Sequence, residues 1–271
     1  MSSSRADIVA TVGPASSAPE ILRPMIEHHM DVARLNFSWG THDEHAGRIQ
    51  LIRAIAQEFG HYIPVIQDLS GPRVQTGATH GFNSGAVEVL TDKDKADLDF
   101  GALQKIDLVA LSFVGCARDV ELLREELAKR QCTAPIIAKI ERAVALEHLD
   151  EIIAAADAIM IARGDLGNEV PLERIPFVQR DILARANKAK KPVIVATQMM
   201  LSMTAQPTPT RAEVTDVSQA ILDGADAVML SEESASGKFP VEAVTEMERI
   251  VLEAEKNAPG RAYYPLTALF S

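Results

Sequence analysis

Short apolar runs alternate along the chain with longer segments in which apolar residues return every three or four positions. The runs are Ile8–Val12, Asp31–Phe37, Pro64–Asp68, Leu108–Phe113, Pro135–Glu141, Ala158–Asp165, Val193–Gln198 and Ala227–Glu233. Near-continuous apolar runs of this length read as strands buried on both faces. Between them, Ala18–His29, His42–Phe59, Arg118–Arg130, Ala143–Ala155, Ile175–Lys190, Arg211–Asp223 and Val241–Lys256 carry a helical period, as in Val120, Leu123 and Leu127. Strand, helix, strand repetition implies a parallel sheet covered by helices. The alternatives are an open doubly wound sheet and a closed one. Eight units favour closure: an α/β fold, a single (β/α)8 TIM barrel, whose active site sits at the carboxyl ends of the strands.

Two regions break the rhythm. After Asp68 comes Leu69-Ser70-Gly71-Pro72-Arg73-Val74-Gln75-Thr76-Gly77, then a glycine-rich stretch to Gly85 and a short helix candidate, Asp92–Phe100. The third unit is therefore read as loop-rich. At the other end, Asn257–Ser271 holds Pro259, Gly260, Pro265 and a final apolar Leu266–Phe270. The expected organisation is a barrel over residues 1–256 and a tail over 257–271, packed either on the barrel or on a second subunit.

Composition bounds the function. A formal net charge of -11 argues against nonspecific nucleic-acid binding, which needs a basic footprint, while leaving room for a small anionic ligand beside local Arg and Lys. The cysteines, Cys116 and Cys132, lack metal-ligand spacing and a disulfide framework. Met1-Ser2-Ser3-Ser4-Arg5 leads into a strand without an apolar signal segment, and no run approaches the ~18 apolar residues of a membrane helix. The expectation is a cytoplasmic protein without membrane or nucleic-acid partners.

Nearly every strand candidate ends in a polar group. Lys139 and Glu141 share one face of a strand of period two, and the next strand brings Asp165 alongside. Paired carboxylates suit Mg²⁺, which shares its sphere with substrate oxygens and water, and a Lys beside them can stabilise developing negative charge. The same residues also fit an internal ion pair, since a Lys ending so apolar a strand must be paired. Gly164 and Asp165 open a turn whose amides could hold a carboxylate. Arg34, Asn36 and Ser38 are spaced two apart; an Arg fork there suits a phosphate, and equally a brace at the barrel rim. Thr197 is either a proton relay or a packing residue. His42 and His45, three apart without a third ligand, read as a solvated helix start rather than a metal site.

Several segments, in order, resemble the pyruvate kinase family: Thr11-Val12-Gly13-Pro14-Ala15-Ser16, Val32-Ala33-Arg34-Leu35-Asn36-Phe37-Ser38, Ile137-Ala138-Lys139-Ile140-Glu141, Ile161-Ala162-Arg163-Gly164-Asp165-Leu166-Gly167, Ala196-Thr197-Gln198-Met199, Pro209-Thr210-Arg211-Ala212-Glu213 and Asp223-Gly224-Ala225-Asp226-Ala227-Val228-Met229-Leu230-Ser231. The resemblance covers about Asp7 to Lys256. It implies that Lys139 stabilises an enolate and a phosphoryl group in flight. It further implies that Glu141 and Asp165 hold Mg²⁺ (or Mn²⁺), that the Gly164 and Asp165 amides bind the substrate carboxylate beside Thr197, and that Arg34 binds phosphate. Asn36, Ser38 and Asp68 match monovalent-cation ligands. Arg73 stands where potassium-dependent members carry Glu and potassium-independent ones Lys, so K⁺ is expected to be dispensable. Thr11, Pro14 and Arg34 fall at nucleotide positions for ADP or ATP.

The departures lie on the nucleotide side. The family's lid domain is reduced to residues 76–89, and its C-terminal domain has no counterpart after the eighth helix. Trp39 replaces a His, Gln75 an Arg, Leu201 a Glu and Glu232 a Gly. Three functions follow from the resemblance. One is a pyruvate kinase-like protein on phosphoenolpyruvate or pyruvate, with phosphoryl transfer to ADP weakened by the missing lid. The others are a Mg²⁺-dependent oxaloacetate decarboxylase or pyruvate-enolising lyase, and a non-catalytic metabolite-binding regulator. A small keto acid or phosphoenolpyruvate is the expected partner, with room for a homo-oligomer.

Overall fold

The eight expected strands close into one barrel. The structure is a computed structural model that describes residues 4–76, 79–83 and 88–270. The strands are β1 (Asp7–Thr11), β2 (Val32–Asn36), β3 (Val65–Asp68), β4 (Arg73–Thr76), β5 (Thr79–Phe82), β6 (Leu108–Leu111), β7 (Ile136–Ile140), β8 (Ala158–Ala162), β9 (Val193–Ala196) and β10 (Ala227–Leu230). The barrel order is β1-β10-β9-β8-β7-β6-β3-β2, all parallel, while β4 and β5 form a separate antiparallel hairpin. Closure comes where β1 pairs with β10, Asp7 opposite Ala227 and Ala10 opposite Leu230.

Alternation along the strands builds two cores. Val9, Val32, Ile66, Leu108, Ala110, Ile137, Met160, Ile194 and Met229 point inward and fill the barrel. Their neighbours, such as Ile8, Leu35, Val65, Ile136 and Ile159, face the helices. Helix starts are fixed by capping boxes: Thr41 with Glu44, Thr91 with Asp94, and Thr210 with Glu213.

One repeated device stitches the amino ends of the strands together. Asp31, Asp107, Asp157 and Asp226 each immediately precede a strand. Each carboxylate accepts from the first or second amide of the previous barrel strand: Ile8, Val65, Ile136 and Val193, at 2.8, 2.9, 2.8 and 3.1 Å. A single side chain thus satisfies a strand-end donor that would otherwise stay unpaired.

Two expectations change. The third unit is not loop-rich throughout: its helix runs Asp92–Gln104, longer than the periodicity indicated, because its buried side is built from Asp94, Asp97, Leu98 and Gly101 rather than an apolar stripe. Gly101 leaves room there for the Gln67 side chain, which a Cβ would displace. The segment read as one helix over Ala143–Ala155 is two, Ala143–Glu147 and Leu149–Ala155, separated at His148.

The tail packs on the barrel and covers its amino-end mouth. Arg261 reaches Asp226 at 3.0 Å. The amides of Tyr264 and Leu266 donate to Asp226 and Asp7 at 3.0 and 2.7 Å. Leu266 joins the inner core, with Leu269 packed against it. A cavity of about 530 Å³ opens at this same end, lined in part by Lys105, Arg130 and the tail's Phe270. It lies at the opposite mouth from the charged cluster described next.

Candidate active site at the carboxyl ends of the strands

The inward parity that makes Val9, Val32, Ile66, Ala110 and Ile137 core residues carries on past the last apolar layer. It delivers Thr11, Arg34, Asp68, Ser112, Lys139 and Glu141 to one place, all of them buried. Asp68 lies at the centre. Its Oδ2 accepts from Arg34 Nε at 2.6 Å and its Oδ1 from Lys139 Nζ at 3.0 Å. Arg34 also donates to Thr11 Oγ1 at 2.9 Å, and that hydroxyl donates to the Leu230 carbonyl at 2.8 Å, across the β1–β10 seam. Lys139 donates to Ser112 Oγ at 2.7 Å, and Ser112 donates in turn to the Leu69 carbonyl at 2.7 Å.

These contacts set the charges. Burial pushes the Asp68 carboxyl up, but Arg34 and Lys139 outweigh it and hold it below the usual carboxylate range. Burial works against the Lys139 ammonium, yet Asp68 and Glu141 raise its pKa above the ordinary value. Glu141 goes the other way. Burial raises it against the pull of Lys139, with Asp165 and Asp68 adding repulsion. One of its oxygens, Oε2, accepts from the Phe113 amide at 2.7 Å. The other, Oε1, lies 3.0 Å from Lys139 Nζ but off the direction that a hydrogen bond needs, and it has no hydrogen-bond partner. A buried carboxylate oxygen that faces only the Lys139 ammonium, on a group that Asp165 and Asp68 repel, fits a divalent cation.

Asp165 stands one strand away, in the four-residue helix Arg163–Leu166 that follows β8. It pairs with Arg73 Nη2 at 3.9 Å. Among the described residues no three His, Cys, Asp or Glu side chains cluster as a metal cage. Glu141 and Asp165 would therefore hold an ion by two carboxylates, an arrangement that suits Mg²⁺ better than a fully protein-ligated metal. The Gly164 amide donates to Thr197 Oγ1 at 2.7 Å, and the hydroxyl donates to the Ala196 carbonyl at 2.7 Å. Thr197 has φ +68 and Gln198 φ +55. A β-branched residue in the left-handed region is strained. Arg163 holds it there, donating to the Thr197 carbonyl at 2.9 Å while its other end pairs with Asp216 at 2.7 Å.

A family model described as pyruvate kinase, barrel domain, matches residues 3–89 and 83–244. The chain belongs to the pyruvate kinase family. The pyruvate kinase of Agrobacterium vitis is 40% identical over 337 aligned residues, covering 94% of this chain and 70% of that protein. The pyruvate kinases of Thermococcus litoralis and Mycobacterium tuberculosis are 35% and 34% identical, each covering 73% of the relative. These alignments are longer than the chain itself, so the relatives carry inserted segments without a counterpart here. The family model breaks into two pieces at 83–89, just after β5. The hairpin ends where the two matched stretches of the family model meet.

The structure brings most of the expected residues together. Arg34, Asp68, Lys139 and Glu141 share the buried network, Asp165 meets Arg73, and Gly164 meets Thr197. Asn36 Oδ1 accepts from the Ser38 amide at 3.0 Å, and Ser38 Oγ is buried without a partner. Both oxygens of Asp68 are taken by Arg34 and Lys139, so the set Asn36, Ser38, Asp68 is not a free cation cage. Pro14 is exposed in the turn after β1. The Gln75 side chain lies outside the described residues. The helix start is solvated at Thr41, His42, Asp43 and Glu44, but not at His45. His45 is buried and stacked on Phe37 at 4.1 Å, and His42 pairs with Asp97 at 2.8 Å. Three participants escaped sequence reasoning: Ser112 as a partner of Lys139, the Phe113 amide on Glu141, and Arg163 as the brace of Thr197. The first two sit at the end of a strand already singled out; only the register between β6 and β7 reveals what they touch.

Proposed function

We propose that the protein acts on phosphoenolpyruvate or pyruvate with Mg²⁺ (or Mn²⁺), moving a phosphoryl group between phosphoenolpyruvate and ADP. The single observation that carries this is the buried Lys139–Asp68–Glu141 cluster, with Glu141 Oε1 left without a donor one strand from Asp165. When bound by Glu141 and Asp165, the metal supplies Lewis-acid polarisation of the substrate oxygens. The chain's own groups do the rest. The Gly164 and Asp165 amides, at the start of a helical turn, bind the substrate carboxylate. That carboxylate takes over the Gly164 N–H from Thr197 Oγ1, and the freed lone pair accepts a proton from water as the hydroxyl passes its own proton to the methylene carbon. Lys139 stabilises the negative charge on the enolate oxygen, and Arg34 holds the transferring phosphoryl group. Its fixed partner Asp68 keeps both cations aimed. Arg73, which reaches Asp165 at 3.9 Å, supplies the positive charge that a monovalent cation would bring to the site, so K⁺ is dispensable. Thr11, Pro14 and Arg34 border the nucleotide.

A second reading shares the same half of the site: metal-dependent decarboxylation of oxaloacetate or enolisation of pyruvate. What favours it is that Lys139, Glu141, Asp165 and Thr197 all follow directly from barrel strands, whereas on the nucleotide side Thr11 is spent on Arg34 and the Leu230 carbonyl. A non-catalytic role as a metabolite-binding regulator would keep the same ligands without turnover. No helix among the described residues is long and apolar enough to cross a membrane. Two free cysteines fit a cytoplasmic setting. The test is pyruvate release coupled to lactate dehydrogenase, with phosphoenolpyruvate plus ADP and separately with oxaloacetate. Pyruvate from the first supports the kinase and from the second alone the lyase. Pyruvate from neither overturns both.

A further inference from the structure

The hairpin is tied to the barrel mouth by a stack of rings and guanidinium groups. Arg142, the residue after Glu141, lays its Cζ 3.7 Å from the centre of the Phe82 ring. Phe82 packs at a tilt on Phe113, with centroids 5.6 Å apart. On Phe113 also rests Arg73, Cζ 5.7 Å from the ring centre, and Arg73 reaches Asp165 at 3.9 Å. The register makes this pointed: Phe82 on β5 is the direct partner of Arg73 on β4. The stack therefore grips the hairpin on the same rung that carries Arg73.

Phe113 is held in place from beneath. Its φ of +60 is costly for a bulky residue, and it turns the amide toward Glu141. Its ring abuts Gly71, where a Cβ would meet Cδ2 at 2.9 Å. One strained residue thus steadies a carboxylate through its backbone and the hairpin through its ring. Cation–π contacts with Arg at both ends of the ring pair add attraction that does not need an acidic partner.

We propose that Phe82 and Arg142 are positioning residues that act through Arg73, fixing its guanidinium beside Asp165. The inference rests on the reading of Glu141 and Asp165 as metal carboxylates. A cation held this close to Asp165 opposes a second cation at the same carboxylate and favours an anionic substrate. Removing either member of the stack releases Arg73, so the divalent site becomes tighter.

The experiment is calorimetric titration of the full chain with Mn²⁺ alone, without substrate. Phe82→Ala and Arg142→Met are each expected to tighten Mn²⁺ binding roughly three- to tenfold, part of the roughly thirtyfold effect of one partly screened unit charge at this distance, because the charge is loosened and not removed. Arg73→Met, which removes it, should give the whole effect. Adding Phe82→Ala to Arg73→Met should change nothing further, because the effect runs through Arg73. Phe82→Tyr and Arg142→Lys keep a ring and a cation and should bind Mn²⁺ as the parent does. Mn²⁺ binding that is lost in Asp165→Ala yet unmoved by Phe82→Ala and Arg142→Met overturns this inference alone, as does an additive double variant. A parent that binds no Mn²⁺ overturns the reading of the carboxylates and this inference with it.

Discussion

Replacing Arg73 by Glu should convert the protein from indifference to K⁺ into dependence on it. Three cationic side chains, Arg34, Arg73 and Lys139, face three carboxylates, Asp68, Glu141 and Asp165. The set is neutral before metal and substrate enter. Arg73→Glu leaves two cations against four carboxylates. Arg73 Nη2 lies 3.9 Å from Asp165 Oδ2, with side chains 18% and 24% exposed. At about 4 Å and an effective permittivity of about 20, two unit charges interact by about 4 kcal/mol. Partial exposure reduces that to about 2 kcal/mol of attraction. Reversal of sign turns it into a comparable repulsion, and an anionic substrate at a similar distance from residue 73 feels the same swing, about 4 kcal/mol against binding, or roughly 10³-fold in rate at low substrate. A monovalent cation restores one of the two lost charges and so recovers part of the loss, on the order of tenfold or more. The assay is initial pyruvate release, in a tetramethylammonium buffer with and without KCl. Parent turnover that rises severalfold with KCl would refute the reasoning. So would a variant that works as well as the parent without it.

Three further outcomes are expected. Lys139→Met, nearly isosteric, should keep the fold by circular dichroism while turnover falls roughly 10²–10⁴-fold, the scale of one lost charge-stabilising group; loss within a factor of a few would make Lys139 structural. Asp165→Ala should abolish the Mn²⁺ site seen by calorimetry, and unchanged affinity would remove Asp165 from the metal. Burial raises Asp7 and Asp226 to about 6 and Asp31 to about 8, all above their unfolded value of about 3.9. Their contribution is complete below about pH 4 and is lost as pH rises through about 6 and then about 8. The denaturant midpoint should therefore be higher at pH 6 than at pH 9, by a few kcal/mol of stability. Asp31→Asn should flatten the change above pH 7; a midpoint that rises toward pH 9 in the parent would contradict this.

The barrel was legible because its strands are buried on both faces. Runs such as Pro135–Glu141 have no competing helical period, and each barrel strand falls inside its expected run or within one residue of it. The β4–β5 hairpin was not legible. Its described side chains include only Val74 and Phe82 as large apolar groups, and it is held by rings from outside rather than by a core of its own. The helix Asp92–Gln104 was read short for a related reason: it buries Asp94 and Asp97, which donor groups on Gly71, Thr91, Lys93 and His42 satisfy. A polar interior of that kind has no periodic signature. The Asp-before-strand pattern at Asp31, Asp107, Asp157 and Asp226 was present in the sequence and could have been used, since each repeat places one acceptor where one strand-end donor waits.

The site divides along the same line. Residues that act from a strand were found by parity alone: once Ile66 and Ile137 are assigned inward, Asp68, Lys139 and Glu141 must follow at intervals of two. What parity cannot supply is partnership between strands, which depends on register. Ser112 was visible as a strand-end hydroxyl, but that it engages Lys139 follows only from the offset of β6 on β7, Leu111 opposite Ala138. The ring stack is a step further removed. Arg142, Phe82, Phe113 and Arg73 come from four segments, and nothing in their spacing brings them together. Contacts of this class have no sequence period because they use neither the strand's alternation nor the helix's turn. A substitution in Phe82 or Arg142 should accordingly leave the eight strands untouched and alter the charge that faces Asp165.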